Sequence, residues 1–280
     1  MELTELEHDA AGDHYRYGGE LNEHWTIGPK VHGGAMVALC AGAACAAINT
    51  GAARAAINTG AVGAEFAELQ PIAVSASFLW APDPGPMTVR VWVRKRGRRI
   101  GLADVELVQG ERVAVRVAVT LGSPEHDAPL LLALSMAAQL PPEPPAGIEP
   151  IGPGHVMADI VHLAHGCDIR PDPASFAPGP GVPMFRYWVR PKDSAPDALF
   201  ALLATDVSAP ITFALGRFGW APTVQLTAYL RALPADGWLR VTSTITQIGQ
   251  EWFDEDHLIV DSAGRLVAQS RQLALVPAPA

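Results

Sequence analysis

The sequence predicts an α+β protein in which one unit, a helix followed by four antiparallel strands, occurs twice. Two sets of four segments alternate apolar and polar residues at period two, with β-branched residues among the apolar ones, the pattern of half-buried strands. Each set follows an apolar run long enough for a helix. Between the sets, residues 123–183 are dense in proline, as in "QLPPEPPAGIEPIGPG" and "RPDPASFAPGPGVP". Proline at that density breaks helices and removes ladder donors, so a long connection is expected there. The units are placed at 1–122 and 166–280, joined by a connection over 123–165.

Taken in order, the opening "MELTELEHDAAGDH" is acidic and polar, unlike the first region of a signal peptide. A helix is expected from His32 to about Ile48. The stretch around it, "VHGGAMVALCAGAACAAINTGAA" at residues 31–53, is uncharged and long enough to cross a bilayer. Ala and Gly dominate it and Asn49 and Thr50 interrupt it, so transfer into lipid gains little and a tightly packed core helix is the better expectation. "AAINTGAAR" at Ala46 is followed at once by "AAINTGAVG" at Ala55, a local duplication expected to lengthen the loop after the helix. Four strands follow: "PIAVSASFLWAP", "PMTVRVWVRKRG", "RIGLADVELVQG" and "ERVAVRVAVTLG". The connection has room for a short helix near "APLLLALSMAAQL" and a strand near "CDIRP". Then come a strand, "MFRYWVRP", a helix, "APDALFALLATDV", and the strands "TVQLTAYLRAL", "GWLRVTSTITQIG", "EWFDEDHLIVD" and "GRLVAQSRQLALV".

The halves align with each other without gaps in three blocks. "PIAVSASFLWA" from Pro71 falls on "PTVQLTAYLRA" from Pro222, "GERVAVRVAVTL" from Gly110 on "GRLVAQSRQLAL" from Gly264, and "HGGAMVALCAG" from His32 on "PDALFALLATD" from Pro196. Three blocks in one order mark an internal duplication. A sheet wrapping one long helix, made twice, is the tandem or double hotdog architecture: two antiparallel sheets, each around a long central helix.

Three aligned positions are polar in the second half only: Asp206 against Gly42, Thr223 against Ile72, and Gln272 against Ala118. Alternation puts Thr223, Gln225 and Thr227 on one strand face. A carboxylate such as Asp206, late in an apolar helix, is costly to bury without a partner. Singly, each residue could simply face water; together, against apolar counterparts, they point to one site in the second half. None is a strong nucleophile. They suit holding and polarising a water, with Asp206 as general base or orienter and Thr223 and Gln272 fixing its geometry. Backbone N–H groups at a helix N-terminus could meet the oxyanion that forms on an activated carbonyl.

The segments "HWTIGPKVHGGAMVAL", "VRKRGRRIGLADVELVQG", "DIRP", "FRYWVRPKDSAPDALFALLATD", "PTVQLTAYLR" and "GRLVAQSRQLAL" resemble the type II acyl-CoA thioesterases, the thioesterase-B-like double hotdog group, over nearly the whole chain. The resemblance implies a thioester hydrolase that releases free acid and coenzyme A from a fatty acyl-CoA, with the family's water-activating triad falling on Asp206, Thr223 and Gln272. Gln225 stands where the family usually has an acidic residue. "HGGA" at His32 opens the first helix, and Gly33 and Gly34 would let a ligand approach the backbone closely. "RKRGRR" holds Arg94, Lys95, Arg96, Arg98 and Arg99, a quarter of all Lys and Arg. Its Arg96 and Arg98 are expected to meet coenzyme A phosphates, if the run is not simply a solvated hairpin end.

A net charge of −9 argues against a nucleic-acid partner, and 49% hydrophobic residues provide for a real core. Three cysteines without C-x-x-C spacing favour neither a disulfide framework nor a zinc site, so a cytoplasmic protein needing no cofactor or metal is expected. The partner is an acyl-CoA substrate, with no membrane span; a homodimer of double hotdogs is compatible with the fold. There is no G-x-S-x-G for a serine hydrolase. Two rivals remain: an acyl-CoA-binding hotdog protein without turnover, and a hydratase-type hotdog. The hydratase needs an Asp/His pair, and His257 with Asp254 and Asp256 is expected in a hairpin turn, which does not suit it.

Overall fold

The computed structural model describes residues 2–9, 13–58, 68–133, 140–176 and 181–278. In the first half, β1 (Leu3–His8) and β2 (His14–Leu21) form a hairpin and β3 (Thr26–Ile27) pairs with β4 (Lys30–Val31). Helix α1 (Gly33–Asn58) and strands β5 (Gln70–Phe78), β6 (Gly85–Arg96), β7 (Gly101–Gln109) and β8 (Arg112–Gly122) follow. The second half has β9 (Cys167–Pro171), a single-turn helix α2 (Pro173–Phe176), β10 (Phe185–Pro191) and α3 (Ala198–Leu203). The 3-10 turns Ala204–Asp206 and Ile211–Leu215 come next, then β11 (Thr223–Leu230), β12 (Leu239–Thr244), β13 (Trp252–Val260) and β14 (Leu266–Leu275).

Twelve strands make one antiparallel sheet in the order β1-β2-β6-β7-β8-β5-β11-β14-β13-β12-β10-β9. This corrects the expectation of two separate sheets. β5 pairs directly with β11, Leu226 opposite Ala76 and Thr227 opposite Ser75, so the ladder crosses from one half into the other. Each half covers an open edge of its neighbour, which an isolated sheet would leave unpaired. The order on either side of this seam is the same read outward, with β8, β7, β6, β2, β1 on one side and β14, β13, β12, β10, β9 on the other. In neither half do the four strands run in sequence order, because the first of each set moves to the seam.

The helices differ more than the repeat suggests. α1 runs to Asn58, ten residues past the expected end, so the first copy of the duplicated segment is helical and lengthens the helix rather than the loop. The rest of the second copy, residues 59–63, lies outside the described residues. Ala35, Val37, Ala38, Cys40, Ala41, Ala43, Ala44 and Ala47 are all fully buried. A helix apolar nearly all round is one enclosed on all sides, here by β2, β5–β8 and α3. The windows Gly33–Thr50 and Ala198–Leu215 are long and apolar enough to cross a membrane, and 67% and 56% of them are buried in the protein.

α3, by contrast, has only six residues, so among the described residues the second half has no long central helix. Its start is fixed by Asp197, whose carboxylate accepts the Phe200 N–H at 2.7 Å. At its end the Thr205 hydroxyl donates to the Leu202 carbonyl at 2.6 Å, the chain tightens into a 3-10 turn, and Pro210 lies just beyond. Asp206 therefore sits on a turn that swings away from the helix axis.

The connection lies along the second half. The Trp188 indole donates to the Pro141 carbonyl, Arg240 to the Leu140 carbonyl, and Ile151 N–H to the Ile169 carbonyl. Residues 128–133 form no helix, and residues 134–139 of the expected short helix lie outside the described residues. Cys40, Cys45 and Cys167 are all free thiols.

Candidate active site

Asp206 reaches across to the other half of the chain. Its Oδ2 accepts the Gly34 N–H at 2.7 Å, at the first turn of α1, where the helix leaves N–H groups unpaired and its dipole favours negative charge. His32 closes the contact. Its Nδ1 accepts the Ala35 N–H at 3.2 Å, so its proton is on Nε2, which donates to the Asp206 carbonyl at 2.8 Å and lies 3.6 Å from Oδ2. The Asp206 side chain is 10% exposed. Burial pushes its carboxyl up, and the His32 ring and the Gly34 N–H pull it back down.

The glycines of "HGGA" exist for this approach. A Cβ on Gly33 would lie 2.5 Å from Asp206 Oδ2, and one on Gly34 would lie 2.5 Å from the Leu203 carbonyl oxygen and 2.8 Å from His32 Cε1. Any larger residue would hold the Asp206 turn off the helix.

Thr223 and Gln272 form a second group. The Thr223 hydroxyl donates to Gln272 Oε1 at 3.1 Å, and Gln272 Nε2 donates to Glu255 Oε2 at 2.6 Å. Asp206 hydrogen-bonds to neither Thr223 nor Gln272, but the two groups adjoin. Ser270, two residues before Gln272 on the same inward face of β14, donates to the Thr205 carbonyl at 2.9 Å, and Asp206 is close enough to Glu255 for their charges to interact.

A β-bulge decides which way Thr223 points. Against β14, Thr223 pairs with Ala274 and Gln225 with Leu273, leaving Val224 as the extra residue. Strict alternation, which puts Thr223, Gln225 and Thr227 on one face, therefore fails at Val224. Thr223 shares the inward side of Ala274, whereas Gln225 is exposed and Thr227 meets Ser75 across the seam at 3.2 Å. The unexpected Gln225 thus lies on the outer face, away from Asp206. The first half carries the same bulge, between Pro71 and Ala73. Matching bulge to bulge pairs Thr223 with Pro71, not Ile72, and Gln272 with the buried Val119, not the exposed Ala118. The gapless self-alignment was one residue out, yet both true counterparts are still apolar. Gly42 lies against Leu199 near the start of α3, as Asp206 lies against the start of α1, and it offers no carboxylate.

Arg96 and Arg98 are not brought to this group. They lie at the β6–β7 hairpin, where Arg96 meets Ala47 of α1, about 20 Å along the helix from Gly34 at 1.5 Å per residue. Arg96 binds Asp13, the Tyr15 hydroxyl and the Ala47 carbonyl, and stacks over the Tyr15 ring, so it holds the β2–β6 corner; Arg98 is exposed.

Glu255 escaped the sequence reading, although it carried a signal. In "EWFDEDHLIVD" alternation sets Phe253, Glu255, His257 and Ile259 inward, and all four are buried. Asp254 and Asp256 are therefore in a strand, not a hairpin turn. His257 bonds Ser208 through Nε2 at 2.7 Å and Ser270 through Nδ1 at 3.2 Å, and burial pulls its pKa down to about 4.

Burial pushes Glu255 up to about 8 from an ordinary 4.5, against the hydrogen bonds from Gln272 and Ser243. This has a measurable consequence. Between those values the native protein keeps a proton that the unfolded chain has lost, so stability falls as pH rises. His257 acts oppositely, with the unfolded chain binding the extra proton, but only below its ordinary 6.5. From pH 6.5 to 8 the stability of the protein should therefore fall, by on the order of 1 kcal/mol per pH unit. Denaturant midpoints measured across that window should show the slope, and Glu255→Gln should reduce it, leaving whatever Asp206, also pushed up by burial, contributes with the same sign; an equal slope in the variant would rule Glu255 out as a source.

Known proteins share this arrangement of the chain. Residues 21–122 match the family model described as the acyl-CoA thioesterase N-terminal domain, and residues 137–276 the one described as the acyl-CoA thioesterase C-terminal domain. The uncharacterized protein Rv0499 of Mycobacterium tuberculosis is 56% identical over 294 residues, covering 99% of this chain and 97% of that one. A Thermobifida fusca protein provisionally named thioesterase II has a similar structure, with a TM-score of 0.76 at 27% identity over 99% of this chain and 96% of its own. An Alicyclobacillus acidocaldarius protein described as having a hot dog fold gives a TM-score of 0.73 at 17% identity, over 95% and 94%. With both domain models matched along a sheet of hotdog type, the chain belongs to the acyl-CoA thioesterase family.

Proposed function

We propose that this protein hydrolyses fatty acyl-CoA to free acid and coenzyme A at one site per chain, with water held by Asp206, Thr223 and Gln272. The observation that carries the proposal is the buried Asp206 carboxylate, set against the α1 N-terminus and beside the Thr223–Gln272 pair. The Thr223 hydrogen is committed to Gln272, so its oxygen is left to accept from a water whose second hydrogen faces Asp206. The water's lone pair then points outward, toward a thioester carbonyl carbon. Asp206 takes the proton as the C–O bond forms, the positive end of the α1 dipole stabilises the oxyanion, and the proton passes to the coenzyme A sulfur as the C–S bond breaks. His32, Gly33 and Gly34 line the approach to α1. Of the two arginines expected to meet coenzyme A phosphates, Arg98 is exposed and takes that role, whereas Arg96 is held within the fold.

In this reading the chain is a double hotdog, with a first module over 1–122 that has lost its site, a connection over 123–165, and an active second module over 166–280. The apolar Pro71, Val119 and Gly42 at the matching places support that asymmetry. Free, largely buried thiols support a reducing, cytoplasmic setting in lipid metabolism.

One observation favours a second reading, a hydratase: His32 and Asp206 do form a His/Asp pair. Both His32 ring nitrogens are committed, however, to Ala35 N–H and the Asp206 carbonyl, which leaves none to pass a proton to substrate. The test is to give the purified protein a ladder of saturated acyl-CoA lengths and an enoyl-CoA. Thiol release is expected with the saturated series, and no 3-hydroxyacyl product from the enoyl-CoA. Stabilisation by acyl-CoA on heating without thiol release would instead mark a binding protein.

A further inference from the structure

We propose that Glu255 is a positioning residue for this hydrolysis, which rests on the function proposed above: its carboxylate turns the Gln272 amide so that the carbonyl oxygen faces Thr223. Donors from three elements converge on Glu255. Oε1 accepts the Ile211 N–H at 3.0 Å and the Ser243 hydroxyl at 3.1 Å, and Oε2 accepts Gln272 Nε2 at 2.6 Å. An ionised carboxylate can only accept, so the amide must present its nitrogen to it. Gln272 Oε1 is then the atom that faces Thr223, and it takes up the hydroxyl hydrogen. With Glu255 only 1% exposed, no bulk water competes for these bonds.

The consequence reaches the reacting water. With the amide as found, Thr223 offers the water an acceptor and leaves its lone pair free for attack. With the amide reversed, Gln272 would donate to Thr223, whose own hydrogen would turn to the water and occupy that lone pair. The titratable groups around Glu255 are Asp206, the Tyr187 hydroxyl, which accepts the Ala209 N–H, and His257, held by Ser208 and Ser270. Because burial sets Glu255 to about 8, the ionised form that fixes the amide dominates only above that pH.

The test is Glu255→Gln, assayed on acyl-CoA at pH 9. The new side chain must use its carbonyl for Ile211 and Ser243, so it presents an NH₂ group to Gln272 and turns that amide over. The variant should lose about 10–100-fold in kcat, with KM within about threefold and no fall in melting temperature, the mark of an interaction made in the transition state. The reversed pair, Glu255→Gln with Gln272→Glu, again sets an acceptor toward Thr223 and should recover about tenfold of that loss. If Glu255→Gln keeps the parent kcat, or the reversed pair recovers nothing, while Asp206→Asn and Thr223→Val remain impaired, the positioning role is wrong and the triad stands. If those two variants are as active as the parent, the triad fails and takes this role with it.

Discussion

Asp206→Asn is expected to lower kcat for acyl-CoA hydrolysis by about 10²–10⁴-fold, the usual cost of losing a general base. The substitution keeps the size of the side chain and an oxygen that can still accept the Gly34 N–H. It removes the charge that takes the proton from water. Stability should not fall with activity, because burial already disfavours that charge and a neutral amide relieves it. A melting temperature equal to or above the parent's, together with lost turnover, would set Asp206 apart from residues that act by packing. Thr223→Val and Gln272→Ala should also lower kcat. If all three variants hydrolyse acyl-CoA at the parent rate, the site lies elsewhere.

Gly34→Ala should do comparable damage by another route. Its Cβ would sit 2.5 Å from the Leu203 carbonyl oxygen, a backbone atom that cannot rotate aside. Relief requires the Asp206 turn and the start of α1 to move apart, breaking the 2.7 Å bond that holds the carboxylate. Overpacking of this kind costs about 1–3 kcal/mol, and displacing a reacting group by about 1 Å can cost about 10²-fold in rate. The first half provides the control. At Gly42 the nearest atom to an added Cβ is the flexible end of Leu199, 3.2 Å away. Gly42→Ala should therefore leave turnover unchanged, and removing a helical glycine should add up to about 1 kcal/mol of stability. Melting curves and kcat for the two variants decide the matter; equal effects at both positions would mean that the glycines of α1 share a general packing role.

Much of the fold was legible because burial on one face of a strand writes period two directly into the chain. Every strand from β5 to β8 and from β10 to β14 lies, to within one residue, inside a segment marked by that alternation. The β1–β2 hairpin was missed, although Tyr15-Arg16-Tyr17 in β2 echoes Phe185-Arg186-Tyr187 in β10, its counterpart in the sheet order. Helix lengths were not legible. Ala-rich α1 contains nothing locally that stops it at Ile48, and α3 is tightened into a 3-10 turn by one hydroxyl, on Thr205, that composition cannot reveal. Glu255 stood at an inward position of its strand, but an isolated inward carboxylate has no evident role until its donors are known.

The sequence by itself determined the family, the duplication, and the residue types that make the second half polar where the first is apolar. These depend on identity and spacing along the chain, which are present before folding. Only the tertiary structure decided that the two halves share one sheet, that Asp206 meets Gly34 across 172 positions of sequence, and that Gln272 is turned by Glu255. It also decided that Thr223 faces inward, because a single bulged residue, Val224, reverses the parity that alternation assigns. The physical reason is the same in each case. Hydrogen-bond register and the approach of distant backbones are properties of pairs of segments, and one segment read alone does not contain its partner.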